Sequence, residues 1–309
     1  MSTVVKIKRR KRQVNELSRG WNAVLTILFT MLAMITIIPL ILVVCISFSS
    51  AESITYNGYK FIPSEWTLTA YTTLTKMGDS LWQSYRMTIF YAFGGTILSL
   101  FVMSMFAYVL ARKDFKYRRG LSFYLFFTML FSGGMVPSYI VNSRYLHLND
   151  TIWIFLLPSL VNAFDVIILR TFVQSSVPDS LFDAAKIDGA NDFQVYCHVL
   201  MPLYKAGLAT IGLFNVVSRW NNWFTGMLYI ENRKLVPVMT LLQEIQRSID
   251  YLKAGAEADT PEAMEALASL PGESARMAIA IIAILPLLVA YPFFQKYFVK
   301  GLTVGSVKG

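Results

Sequence analysis

The chain has 309 residues, 55% hydrophobic and 15% charged, with a mean hydropathy of +0.50 and a formal net charge of +9 at pH 7. Its apolar residues gather in runs of about 20, the length that crosses a hydrocarbon layer as a helix, so a soluble globular chain is excluded and an all-α integral membrane protein is expected. Strand-barrel alternation is absent, and two cysteines (Cys45, Cys197) with two histidines (His147, His198) offer neither a disulfide framework nor a Cys/His metal centre.

Residues 1–20 form a basic segment whose KIKRRKR stretch at 6–12 suits an anionic leaflet. The first expected span, 21–48, is too long for a signal-peptide core and no small-residue cleavage site closes it, so it reads as a retained helix. The loop 49–83 carries Tyr56, Tyr59, Trp66 and Tyr71, a candidate docking surface. Spans at 84–110 and 121–141 follow, separated by a basic loop, 111–120. Ser132-Gly133-Gly134 with Pro137 interrupts the third span, either as an unwinding in a pathway or as a packing kink. The fourth span, 151–172, contains Asp165, for which pairing with a nearby Arg or Asn at the cytoplasmic end is favoured over a functional role. A polar loop, 173–203, leads to a fifth span at 204–229. The next loop, 230–274, is too long for a simple connector, and its acidic stretch AEADTPEAMEALASLPGE is either a docking element or a solvated insertion. A sixth span, 275–298, holds Pro286 and Pro292 and ends in the tail 299–309.

With both termini in the cytoplasm, inside segments hold 17 of the 28 Lys and Arg residues, a bias that sets this orientation. The positive charge therefore follows from topology and calls for no nucleic acid. The six-span unit, 21–298, is flanked by the cytoplasmic segments 1–20 and 299–309, with 173–203 cytoplasmic and 49–83 and 230–274 extracytoplasmic.

The loop 173–203 has two short helices written into it. Pro178-Asp179 starts the first, with Asp179 or Ser180 as N-cap and the acidic Asp179 and Asp183 favourable at its positive end. Ala184 and Ala185 favour helix and leave a low-relief face, and Gly189 suits the left-handed position that ends it. Asn191 or Asp192 can cap the second helix, and Pro202 is expected to stop it. Spacing alone describes either an ordinary connector or a knob presented to a cytoplasmic partner.

DAAKIDGANDFQVYCHVLMP resembles the signature loop of permease subunits in binding-protein-dependent ABC importers, an E-A-A-x-x-x-G pattern with a proline about thirteen residues beyond the glycine. Asp183, Ala184, Ala185 and Gly189 hold those places, Asp188-Gly189-Ala190 gives the D-G-A variant and Pro202 the final proline. Asp183 stands where glutamate is usual, which shortens the carboxylate's reach. FSGGMVPSY, VIILRTFVQSSVP, RWNNWFTGMLYI and FVKGLTVGSVKG are similar to the carbohydrate branch of the same permeases, in particular those that import complex oligosaccharides.

The resemblance implies the type I importer permease fold in a bacterial plasma membrane. It also implies a second, similar permease as heterodimer partner, two cytoplasmic ATPases and an extracytoplasmic solute-binding protein delivering an oligosaccharide. The 179–190 segment would then be the coupling helix, with Asp179, Asp183, Ala184, Ala185, Asp188, Gly189, Ala190 and Pro202 as its signature positions. No Gly-Lys dipeptide occurs, so there is no phosphate loop, and ATP with Mg would be bound by the partner chains rather than by a cofactor site here.

RWNNWFTG in the fifth span has the chemistry of a sugar site. Trp220 and Trp223, three apart, are expected on one helix face with Asn221 and Asn222 beside them, and Arg219 is expected to face water, a cavity or a counter-charge. An interfacial aromatic belt is the equal alternative. A secondary transporter or channel for a small polar solute is the rival class, but no internal repeat is evident and interior charges are few. A membrane enzyme would need a catalytic set that the sequence lacks.

Overall fold

The computed structural model describes residues 18–76, 78–256 and 273–305. The basic stretch at 6–12, residues 257–272 of the acidic stretch, and the last four residues lie outside the described residues. Among those described, the regular elements are helices joined by turns and irregular segments, with one isolated bridge, Ser49 to Trp66.

The helices are α1 (Arg19–Ser47), α2 (Ala51–Asn57), α3 (Thr69–Lys76), α4 (Gly78–Ala111), α5 (Arg118–Leu130), α6 (Met135–Ile140), α7 (Trp153–Leu156), α8 (Ala163–Ser176) and α9 (Asp179–Ile187). They continue with α10 (Asp192–Trp220), α11 (Phe224–Tyr229), α12 (Val238–Ala256) and α13 (Glu273–Gly305). By length and composition, four described helices can cross a membrane: Gly20–Ser47, Gly78–Ala111, Asp192–Trp220 and Glu273–Pro292.

Neither of the other two expected spans forms a single helix of spanning length, each for a local reason. The third divides into Arg118–Leu130 and Met135–Tyr145, bent by 114°. Gly134 takes φ +84°, a left-handed conformation that glycine adopts without steric cost. The fourth is α7 and α8 with an irregular stretch between them. Pro158 withholds a backbone donor there, and the Asn162 side chain accepts the Asp165 N–H at 3.1 Å to start α8 afresh.

Irregular backbone at membrane depth requires internal partners for its carbonyls. Arg219, on α10 and 5% exposed, supplies them. Its guanidinium donates to Phe155 O at 2.9 Å, Ser159 O at 2.8 Å, Ser159 Oγ at 2.8 Å and Ser99 Oγ at 2.5 Å. A cation thus sits on a carbonyl of the short α7 and on one just beyond it, where a helix C-terminus favours positive charge. Gly95 makes room for it: a Cβ there would lie 2.9 Å from Arg219 Nη1 and 3.0 Å from Leu156 Cδ2.

α13 meets a similar demand. Pro286 leaves the Ile282 carbonyl, four residues earlier, without its helical donor. Tyr85 Oη donates to Ile282 O at 2.7 Å, and Trp220 Nε1 donates to the neighbouring Ala283 O at 2.9 Å. These two aromatic donors tie α4 and α10 to the proline-containing turn of the last helix. Small residues let the helices close up: Gly207 and Gly212 of α10 approach Phe172 of α8 and Leu100 of α4.

One core joins α4, α5, α8, α9 and α10 through Met103, Tyr108, Leu125, Val166, Leu169, Phe182 and Tyr204. A second joins α3, α4, α10, α12 and α13 through Leu74, Ala92, Trp220, Val238 and Ala278. The segment expected as the loop 230–274 contributes α12, whose Val238 and Leu242 are buried in that second core. The segment 49–83 likewise holds α2 and α3, with Tyr71 bonded to Ser47 Oγ at 2.9 Å, while Tyr56 is 86% exposed.

Candidate functional site

Two places bring polar chemistry together, the corner around α9 and a hollow beside the break in the fourth span. At the corner, α9 begins at Asp179 with Pro178 as its cap residue, and no side chain caps it. Neither Asp179 nor Ser180 is the N-cap, because proline's fixed φ already sets the extended entry and places Asp179 in the first turn. The helix ends as its sequence indicates. Gly189 has φ +79°, and the Ala190 N–H reaches back to Ala185 O at 3.0 Å while the Gly189 N–H bonds Lys186 O at 3.0 Å. Asn191 and Gln194 then form a reciprocal capping box that opens α10.

Pro202 does not stop that helix, as the sequence led one to expect. The α10 helix runs on to Trp220, and a π-helical turn, Val195–Leu200, precedes the proline, widening the helix where its ring would meet the His198 carbonyl.

One face of α9 is fixed to the bundle. Phe182 is buried against Tyr108, with ring centroids 5.9 Å apart, and the Arg112 guanidinium lies 5.3 Å from the Phe182 ring centroid. Arg112 grips Asp114 with both arms of its fork, Nε to Oδ1 at 3.0 Å and Nη2 to Oδ2 at 2.7 Å. Asp114 in turn accepts Lys186 Nζ at 2.8 Å, and Lys113 Nζ donates to Asp179 at 2.6 Å. The loop after α4 therefore holds α9 at its first turn and at its last. Hydrogen bonds from Arg112, then from Lys186, hold the Asp114 carboxyl well below the usual carboxylate range. A carboxylate depressed in the folded state contributes its stabilisation at neutral pH and loses it only as acid protonates it, so this strap persists across physiological pH.

The other face of α9 is open. Asp183, Ala184, Asp188 and Gly189 are exposed, Ala185 and Ala190 are half-buried, and Ile187 is 87% exposed.

The hollow, about 410 Å³, lies where α8 and α10 pass the broken span. Ser159, Asn162, Asp165, Asn215, Ser218 and Arg219 supply its polar lining. Asn215 Nδ2 donates to Asp165 Oδ2 at 2.8 Å, the Asn partner expected for that carboxylate.

The residues expected to form an aromatic sugar face do not share one. The helix ends at Trp220, so the three-residue spacing to Trp223 crosses a turn instead of one face. Trp220 is 1% exposed in the core, and Trp223 stacks edge-on with Phe224 at 5.7 Å under the Arg247 guanidinium. Asn221 is exposed and bonds Val217 O at 2.9 Å, while Asn222 donates to the Thr225 hydroxyl and accepts the Thr225 N–H. Of the five, only Arg219 reaches the hollow. Asn162, Asn215 and Ser218 were not singled out by sequence reasoning, although polar residues inside apolar runs were the available signal.

Residues 7–304 match the family described as "Binding-protein-dependent transport system inner membrane component". The chain is similar to the polygalacturonan/rhamnogalacturonan transport system permease protein YtcP of Bacillus subtilis, 38% identical over 90% of this chain and 95% of that one. It is 27% identical to the arabinooligosaccharides transport system permease protein AraQ of Halalkalibacterium halodurans, over 92% of this chain and 96% of the relative. Among solved structures, it is similar to a bacterial ABC transporter involved in the import of the acidic polysaccharide alginate, with TM-score 0.77 and 31% identity over 92% of this chain and 99% of that one.

Proposed function

Since the chain belongs to the family of binding-protein-dependent transport system inner membrane components, we propose that it is the sugar-conducting permease half of an ATP-driven importer. It takes up an oligosaccharide handed over by an extracytoplasmic solute-binding protein, working in the bacterial plasma membrane beside a second permease. Two ATPase chains bind ATP and Mg and close on α9, and the chain itself catalyses nothing. The names of YtcP and AraQ and of the alginate importer, each printing a sugar polymer or oligosaccharide, support the substrate class.

The observation that carries the coupling role is the two-faced α9. Its Phe182 side is strapped to α4 through Arg112, Lys113 and Asp114, and its Ile187 side is bare. Only contacts that differ between open and closed ATPases can shift the permease between inward- and outward-open states. A helix held at both ends passes such a push to α4 instead of bending away. The polar hollow is proposed as part of the sugar path, because amides and hydroxyls can both donate to and accept from sugar hydroxyls.

Gentle purification from the native membrane tests this reading. ATPase chains and a second permease should come with the protein, and an oligosaccharide with its binding protein should raise ATP hydrolysis. Solute movement by this chain alone, driven by an ion gradient, would overturn it.

A further inference from the structure

Beside the strapped corner, the loop 112–117, the first turn of α5 and the end of α8 enclose an open hollow of about 720 Å³. Lys116, Arg118, Arg119 and Arg170 line it, together with the Ser122 hydroxyl. The carboxylate in its wall, Asp114, is already committed to Arg112 and Lys186, and Lys113 is committed to Asp179. Among the described residues, no carboxylate pairs with any of the other four cations. Arg170 is only partly exposed, feels the like charge of Arg118 and bonds Ser122 Oγ at 3.0 Å, while its Nε is buried with no hydrogen-bond partner.

Four unpaired cations around one concavity are mutually repulsive unless an anion joins them. A topological charge bias would scatter them on solvated loops, but Arg170 projects from a helix into the same hollow as Arg118.

We infer that this hollow binds the phosphate of an anionic membrane phospholipid. Its height favours a lipid over a soluble anion: Arg118 and Arg170 sit beside the expected span ends at 121 and 172. Further along α5, Phe123, Tyr124 and Phe127 stand 69%, 63% and 45% exposed, apolar surface within reach of acyl chains. Headgroup phosphate in the hollow and chains along α5 match one lipid in one place. The lipid would brace the loop that straps α9, adjoining the site of force transfer without being part of it. The inference needs only a membrane-embedded chain and stands whatever drives transport.

The test is native mass spectrometry of the assembled transporter, purified in detergent and offered phosphatidylglycerol or phosphatidylcholine. Wild type should retain phosphatidylglycerol preferentially. The Arg118→Gln/Arg170→Gln pair should weaken that retention about thirtyfold, from the loss of two basic residues near the phosphate. Lys116→Gln/Arg119→Gln changes only residues on the loop and first turn, guards against misfolding of the first pair, and should also reduce retention. Unchanged retention in both pairs would overturn the site. Displacement of the lipid by millimolar inorganic phosphate would mark a soluble anion instead, and loss of ATPase chains with lipid retained would mark a protein surface. Either result would overturn the lipid assignment.

Discussion

Gly189 ends α9 with φ +79° and with nothing within 4 Å of where a Cβ would stand. A side chain there meets backbone strain alone, about 1–2 kcal/mol for alanine and more for a β-branched residue. Gly189→Val is therefore expected to leave the protein in the membrane at normal level while uptake and ATPase retention fall, and Gly189→Ala should do the same more mildly. Immunoblots of membranes beside uptake assays separate the two effects, and normal uptake in the valine variant would remove the coupling role. Arg219 is the second residue on which much rests. Lysine there keeps the charge but cannot serve Phe155 O, Ser159 and Ser99 from one point, so Arg219→Lys leaves at least one buried acceptor without a donor. Each carbonyl stranded costs about 1–3 kcal/mol. A lower unfolding temperature in detergent checks this, and an unchanged one would make the guanidinium network dispensable.

Helices in this chain are broken by prolines and glycines and repaired by donors from elsewhere. Tyr85 and Trp220 serve the carbonyls around Pro286, which yields a double-mutant test. Tyr85→Phe should destabilise by about 1 kcal/mol in the native background and by clearly less once Pro286→Ala returns a backbone donor to Ile282. Equal losses in both backgrounds would contradict the pairing. The same pattern explains what the sequence could reveal. Gly189, Asn191 and the Ser132-Gly134 break are local signals, spelled within a few residues of their effect, and they read correctly. The fourth span looked continuous because its irregular backbone is satisfied by an arginine 64 residues away from Phe155 in sequence. Pro202 looked like a stop because a π-turn, which has no strong sequence code, absorbs it. Trp220 and Trp223 looked like one face because a three-residue spacing assumes a helix that in fact ends between them.

At the scale of the whole molecule, the described surface leaves apolar and polar areas uncovered. The most apolar window of α1 is entirely unburied, the α5 surface bares Phe123, Phe126 and Phe127, and the polar hollow opens beside exposed Phe214 and Ser218. Lipid covers part of such a surface, and a second permease closing over the hollow would complete an enclosed path. Movement of that path is assigned to force received at α9 and passed along the strap to α4. Cysteine cross-linking at the bare face tests that assignment most directly. In a chain whose Cys45 and Cys197 are replaced by serine, Ile187→Cys should cross-link to the ATPase chain in the assembled transporter, with a yield that changes between nucleotide-free and ATP-bound states. Absence of any ATPase adduct at Ile187 in a transporter that still carries out ATP-driven uptake would contradict the account.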